Sequence, residues 1–279
     1  MNKRKLIVRI NLIVILILIL SILTLEPQIA QTKTGNTIYV SIEGDEDYKS
    51  IQKAINKAKY GDTIYVYSGT YFENVIVNKT INLIGEDKTQ TIIDGEKKGD
   101  VLYLSPSSNY VNITGFTIQN SGIDRYDEGI NIDSDFNRIT DNIIIDCNCG
   151  ISLDFWAHNC ILSENTFARN IKGISTYSIY PNNNLIFHNN FLENQINAYD
   201  DSNSTWSNAG EGNYWDDYAG SDSNGDGIGD TPYVIPGGVT HDNYPLIEPH
   251  GTPGFGIIIV ILAMIFTIYM LKKKEVKEK

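Results

Sequence analysis

Cysteine is nearly absent from this 279-residue chain, with only Cys147, Cys149 and Cys160 present. So small and odd a number argues against a disulfide framework, and the three are read as small buried hydrophobes. Histidine is almost as scarce, at four residues. Basic residues are outnumbered, with 22 Lys and Arg against 34 Asp and Glu and a net charge of −12. That balance leaves no basic face to neutralise phosphates, so no nucleic-acid partner is expected. It suits a solvated extracellular surface.

What is present is a repeat. Between Val111 and Tyr199 the segments Ile113–Ile118, Ile139–Ile144, Leu162–Phe167 and Ile186–Phe191 align with one another. Runs at Gly129–Asp133, Gly150–Asp154 and Gly173–Tyr177 follow them. Asn142 and Asn165 lie 23 residues apart, and Asn165 and Asn189 lie 24 apart. A period of that length in short alternating strands, with no helical pattern, predicts a β-solenoid. Upstream, strands are expected at Thr63–Val66, Val75–Val77, Ile81–Ile84, Thr91–Ile93, Val101–Leu104 and Val111–Ile113. The turns between them are too brief for helical crossovers, so each coil must wind directly on to the next rung.

One amphipathic helix is expected from Tyr48 to Lys59. Ile51, Ala54, Ile55 and Ala58 share a face, Asp47 is the expected N-cap and Gly61 the stop. Its predicted use is to cover the open N-terminal end of the solenoid. The basic residues Lys3, Arg4, Lys5 and Arg9 before the apolar run Ile10–Leu25 make residues 1–30 a signal peptide or signal anchor. The β-helix then occupies residues 31–200, an acidic module 201–250, and a membrane anchor with a basic tail 251–279. The apolar run Ile257–Leu271 is expected to be a C-terminal transmembrane helix, with Lys272–Lys274 on the cytoplasmic side.

Ser50-Ile51-Gln52, Gly61-Asp62-Thr63-Ile64, Gly69-Thr70-Tyr71-Phe72-Glu73 and Ile81–Glu86 together resemble the opening of right-handed parallel β-helix proteins. The chain is most similar to NosD-like proteins of the periplasmic copper-binding type on archaeal cell surfaces, over residues 38 to 248. The resemblance implies an all-β, right-handed, single-stranded parallel β-helix of the pectate-lyase-like, carbohydrate-binding kind. It specifies no activity, since lyases, hydrolases, esterases and non-catalytic proteins share the fold. The order Pro253-Gly254-Phe255, apolar helix and basic tail also resembles a PGF-CTERM sorting signal, which implies processing by an archaeosortase.

Asn142, Asn165 and Asn189 are expected to form a buried amide ladder, and Gly129, Gly150 and Gly173 to make tight corners. Asp133 and Asp154 should stack outward on neighbouring rungs, where they are candidates for glycan cleavage, against a default reading as solvent-facing turn acids. Asp141, Glu164 and His188 form a second column, read as surface. Gly69–Glu73 resembles a pectin methylesterase signature, but that family's later motifs are missing. Copper would need soft or imidazole ligands brought together, and the four histidines share no column.

Asp222, Asn224, Asp226, Ile228 (through its carbonyl) and Asp230 match the first nine positions of an EF-hand-type loop, so a structural calcium ion is expected there. Tyr233 stands where the twelfth-position glutamate would be. Sequons place candidate glycans on Asn78, Asn112 and Asn203. The reading is a non-catalytic, membrane-anchored surface protein binding envelope polysaccharide or S-layer protein. A carbohydrate-active enzyme using Asp133 and Asp154 is the alternative.

Overall fold

The computed structural model describes residues 35–44, 46–177 and 183–251. The expected signal segment and nearly all of the expected C-terminal anchor lie outside these residues. The sheets lie in the compact unit that begins at Asn36.

Three parallel sheets wind about a common core. The first contains Thr37–Val40, Thr63–Val66, Asn82–Gly85, Asn112–Thr114, Arg138–Thr140, Ile161–Ser163 and Leu185–Phe187. The second contains Gly69–Phe72, Thr91–Asp94, Thr117–Gln119, Ile143–Ile145, Thr166–Ala168, Asn190–Leu192 and Tyr214–Trp215. The third contains Val75–Val77, Leu102–Leu104, Glu128–Ile132, Cys149–Leu153, Lys172–Thr176 and Ile196–Asp200. The chain visits the sheets in that order, giving a parallel β-solenoid of about seven turns.

Each six-residue repeat unit is therefore two strands rather than one, folded at a corner. Gly115, Asp141, Glu164 and His188 hold left-handed φ values of 82°, 56°, 60° and 56° at that corner, and an inward asparagine follows the last three. Asn142 and its counterparts Asn165, Asn189 and Asn213 have no exposed surface. The backbone N–H of Asn142 donates to Asn165 Oδ1 (3.1 Å), that of Asn165 to Asn189 Oδ1 (3.0 Å), and that of Asn189 to Asn213 Oδ1 (3.1 Å). Side-chain amides repeat the same links at 3.2, 3.1 and 2.9 Å. Asn213 extends the expected ladder by a rung, and Asp242 ends it by accepting from the Asn213 N–H. Asn170 and Asn194 link the same way at a second corner.

The repeat glycines have another purpose than the one expected. Gly150 lies inside its strand, and a Cβ there would meet the Gly173 carbonyl oxygen at 2.5 Å. The constraint is approach of the next rung, not a turn.

Inward columns such as Ile130, Ile151 and Ile174 are fully buried, each side chain contributing about 1.5–3 kcal/mol. Aromatic rings take over toward the C-terminal side. Phe167, Phe191, Trp215 and Tyr233 stack at centroid spacings of 5.1, 4.3 and 4.1 Å.

The helix, α1, spans Ile51–Lys57 and is shorter than expected. Ser50 is its N-cap, while Asp47 instead accepts from the Tyr39 N–H. Ala58, before Gly61, ends it. Glu73 accepts from Ser50 Oγ and the N–H groups of Ile51 and Gln52, so the methylesterase-like fragment here anchors a helix. The Gln52 amide bonds both the N–H and the carbonyl of Ile76, occupying the edge of the third sheet.

Asn165→Ala should cost about 2–4 kcal/mol, because it strips partners from buried groups on two rungs. Urea denaturation reads this, and a loss below about 0.5 kcal/mol would contradict the ladder's role.

Candidate functional site

The outer face of the third sheet is unlike the other surfaces. Strand alternation sends Ile130, Ile151 and Ile174 inward, so Tyr103, Asn131, Ser152, Ser175 and Tyr199 form one outward column in register. Glu128, Cys149, Lys172 and Ile196 form a second column at the strand starts. Asp133, Asp154 and Tyr177 follow the strand ends. Outward residues on such a sheet are ordinarily solvated, yet Glu128, Cys149, Ser152 and Ser175 are all buried.

Glu128 is 3 % exposed. Its N–H donates to Asp100 Oδ1 at 2.8 Å, and Asn131 Nδ2 donates to Asp100 Oδ2 at 3.1 Å. Burial, then the hydrogen bond and charge of Asp100, push the Glu128 carboxyl up to about 9. It is thus a neutral acid at neutral pH.

Asp133 and Asp154 do stack outward on neighbouring rungs, but as half-buried groups rather than freely solvated turn acids. Burial holds Asp133 above its ordinary range, opposed by the Tyr103 hydroxyl, which donates at 3.3 Å. Burial also raises Asp154. The Ser152 hydroxyl, donating at 3.1 Å, works against that rise, while the charges of Asp133 and Asp100 add to it. Lys172 Nζ donates to the Tyr177 hydroxyl at 3.1 Å and lies 5.7 Å from the ring centres of both Tyr177 and Tyr199. Phe155 and Trp156, next in the chain after Asp154, are exposed.

Two buried atoms on this face lack a hydrogen-bond partner, Asn131 Oδ1 and Ser175 Oγ, while the neutral Glu128 carboxyl shares a hydrogen bond with Asp100. Unpartnered buried polar atoms are rare. Sequence reasoning found Asp133 and Asp154 and missed Glu128, Asp100, Tyr103 and Lys172. Extending the repeat alignment one residue before Gly129, Gly150 and Gly173 would have found the Glu128 and Lys172 column.

In the expected calcium loop, Asp222 accepts from the N–H groups of Gly225, Asp226 and Gly227. Asn224 Nδ2 donates to Asp226 Oδ2, and Asp226 Oδ1 accepts from the Ile228 N–H. Asp230 accepts from Ser221 and Ser223. Among the described residues, no three His, Cys, Asp or Glu side chains converge as a metal site would require. Asn78 and Asn203 are exposed and Asn112 is half-buried.

The columns read as surface are more engaged than expected. Asp141 pairs with Lys88. The His188 ring, bonded to Glu211 Oε2 at 2.6 Å, stacks on His250 with centroids 3.8 Å apart. Two histidines that share no column in the repeat are thus brought together by the chain's return at His250, whose amide pairs with the Asn190 side chain.

These features define a parallel β-solenoid protein with a polar, aromatic-flanked sheet face. The chain belongs to the NosD family, whose model, described as a periplasmic copper-binding protein, matches residues 34–220. No curated protein matches the chain. Similar solved structures include a pectin methylesterase from carrot, with 15 % identity, TM-score 0.44, and coverage of 63 % of this chain and 72 % of that one. A pectin methylesterase in complex with a hexasaccharide has 13 % identity, TM-score 0.46 and 63 % coverage of each chain. Open reading frame 18 of Geobacillus virus E2 has 16 % identity, TM-score 0.45, and coverage of 61 % and 47 %.

The family description implies copper, and the described residues do not fit it. The His188 and His250 rings meet face to face with planes 9° apart, so their nitrogens do not converge on one point. His158 is bonded to Asp135. The three thiols are buried, and burial pushes Cys147 and Cys160 up to about 12, far from the thiolate a metal requires.

The neutral state of Glu128 has a thermodynamic signature. An unfolded chain ionises this group near 4.5, while the folded protein keeps the proton until about 9. Stability therefore falls as pH rises between those values. Glu128→Gln should melt like the parent at pH 4 and at a higher temperature at pH 8; equal melting at both would show that Glu128 is not held neutral.

Proposed function

We propose that this is an exported, non-catalytic surface protein whose third sheet binds envelope carbohydrate through its outer face. The observation that carries this reading is the pair of unpartnered buried atoms at Asn131 and Ser175. Such groups gain most from a hydroxyl-rich ligand that supplies the missing hydrogen bonds. The half-buried carboxylates of Asp133 and Asp154 add acceptors, and exposed Trp156 offers an apolar ring face to a sugar. Export agrees with the periplasmic description of the family and with the predicted N-terminal signal. Among the described residues no helix is long and apolar enough to cross a membrane, so anchoring by residues 251–279, archaeosortase processing, and an S-layer protein as partner rest on the sequence motifs.

In calorimetric titration with envelope polysaccharide fragments, Trp156→Ala and Asn131→Ala should each weaken binding about tenfold, equivalent to about 1.4 kcal/mol. Unchanged affinity in both variants would sink this assignment.

A second reading, a carbohydrate-active enzyme, is favoured by one observation: a neutral acid, Glu128, is hydrogen-bonded to Asp100 and feels the charge of Asp154. A proton donor paired with a second carboxyl group is the equipment of glycoside hydrolysis. New reducing ends released by the parent protein, and abolished in Asp133→Ala and Glu128→Gln, would replace the first reading with this one.

The structural calcium site at Asp222, Asn224, Asp226, Ile228 and Asp230 is carried by the loop's spacing. Excess EDTA should lower the melting temperature; an unchanged melt, with no metal in the purified protein, removes the ion from the proposal.

A further inference from the structure

The charge character of the third-sheet face selects among carbohydrates. Acceptors dominate it: the carboxylates of Asp100, Asp133 and Asp154, the amide oxygen of Asn131, and the hydroxyls of Ser152 and Ser175. The cation in its columns, Lys172, is already held by the Tyr177 hydroxyl above the Tyr177 and Tyr199 rings. A uronate or phosphate ligand would meet carboxylates with no arginine in those columns to receive it.

Asp133 and Asp154 sit on consecutive rungs, whose backbones are about 4.8 Å apart. The hydrogen bonds to their carboxylates come from neutral hydroxyls, those of Tyr103 and Ser152. Neither carboxylate enters any of the ion pairs found among the described residues. Both carboxyls are held above their ordinary range, Asp133 by burial and Asp154 by burial together with the charges of Asp133 and Asp100. A cation between them would relieve burial and repulsion together. The face also shows that it accepts an ammonium, since that of Lys172 lies against the rings of Tyr177 on its own rung and Tyr199 on the next. Independently of the acids, fully buried Ser175 carries a hydroxyl without a partner on the same face.

We propose that this face binds a saccharide bearing free amino groups, with an ammonium seated between Asp133 and Asp154 and the sugar ring against Trp156. The inference rests on the carbohydrate-binding reading and names its ligand class.

The test titrates the full-length protein in detergent, below the amine's pKa, with four probes: a fully deacetylated glucosamine hexamer, its N-acetylated counterpart, a neutral glucose hexamer and an oligogalacturonate. The deacetylated hexamer should bind at least tenfold more tightly than the neutral one. The preference should shrink as salt rises, and oligogalacturonate should bind weakest. The double variant Asp133→Asn, Asp154→Asn should abolish the preference while still binding the neutral hexamer. Equal or tighter binding of the neutral or acetylated hexamer to the parent protein overturns the inference and leaves the carbohydrate reading standing. A preference that survives the double variant also overturns it, because attraction to the acidic chain as a whole would then suffice. If no probe binds, both fall.

Discussion

Parallel stacking at a single rung spacing forces every side chain to sit beside its counterparts from the turns above and below. At the corners this constraint is severe, because backbone amides are buried where no strand ladder can pair them. The Asn142–Asn165–Asn189–Asn213 column meets it, each amide accepting from one rung and donating to another. The residue just before each of the first three asparagines turns left-handed to present it. The sheets can keep their register only while these corners are satisfied, and the column ends where Asp242 supplies a last acceptor.

The same stacking shapes the candidate site. Like groups are brought together by translation, so Asp133 meets Asp154, and Glu128 lies one rung from Asp100. In a scaffold column such contacts are hydrogen-bonded to completion. On the outer face of the third sheet they are not: carboxyls are held above their usual range, and polar atoms are buried without partners. Structure elsewhere in the chain tolerates few such groups, which makes this face the place where a ligand has most to contribute.

The repeat, the parallel winding and the asparagine column were legible in the sequence because each depends on local alternation and a fixed period. Strand Thr63–Val66 and strand Val75–Val77 fall on their expected bounds. The corner inside each repeat unit was not legible, since an Asp-Asn or Glu-Asn pair between apolar residues reads equally well as continuous strand. Asp133 and Asp154 were found, being repeat-aligned, but their burial was not, because it depends on neighbours such as Tyr103, 30 residues away in sequence. The His188–His250 contact was missed for the same reason: nothing in the period says where the returning chain from Asn213 to His250 will lie. Copper, implied by family membership, finds no converging donor set among the described residues.

Hydrogen–deuterium exchange of the full-length protein, with and without saturating envelope glycan, reads the location of binding most directly. Ligand-dependent protection should concentrate in 100–104, 128–133, 149–156 and 172–177, the segments that build the outer face of the third sheet. Protection confined to other surfaces, such as the exposed aromatic residues near Tyr39 or the loop Asp222–Asp230, would contradict that location.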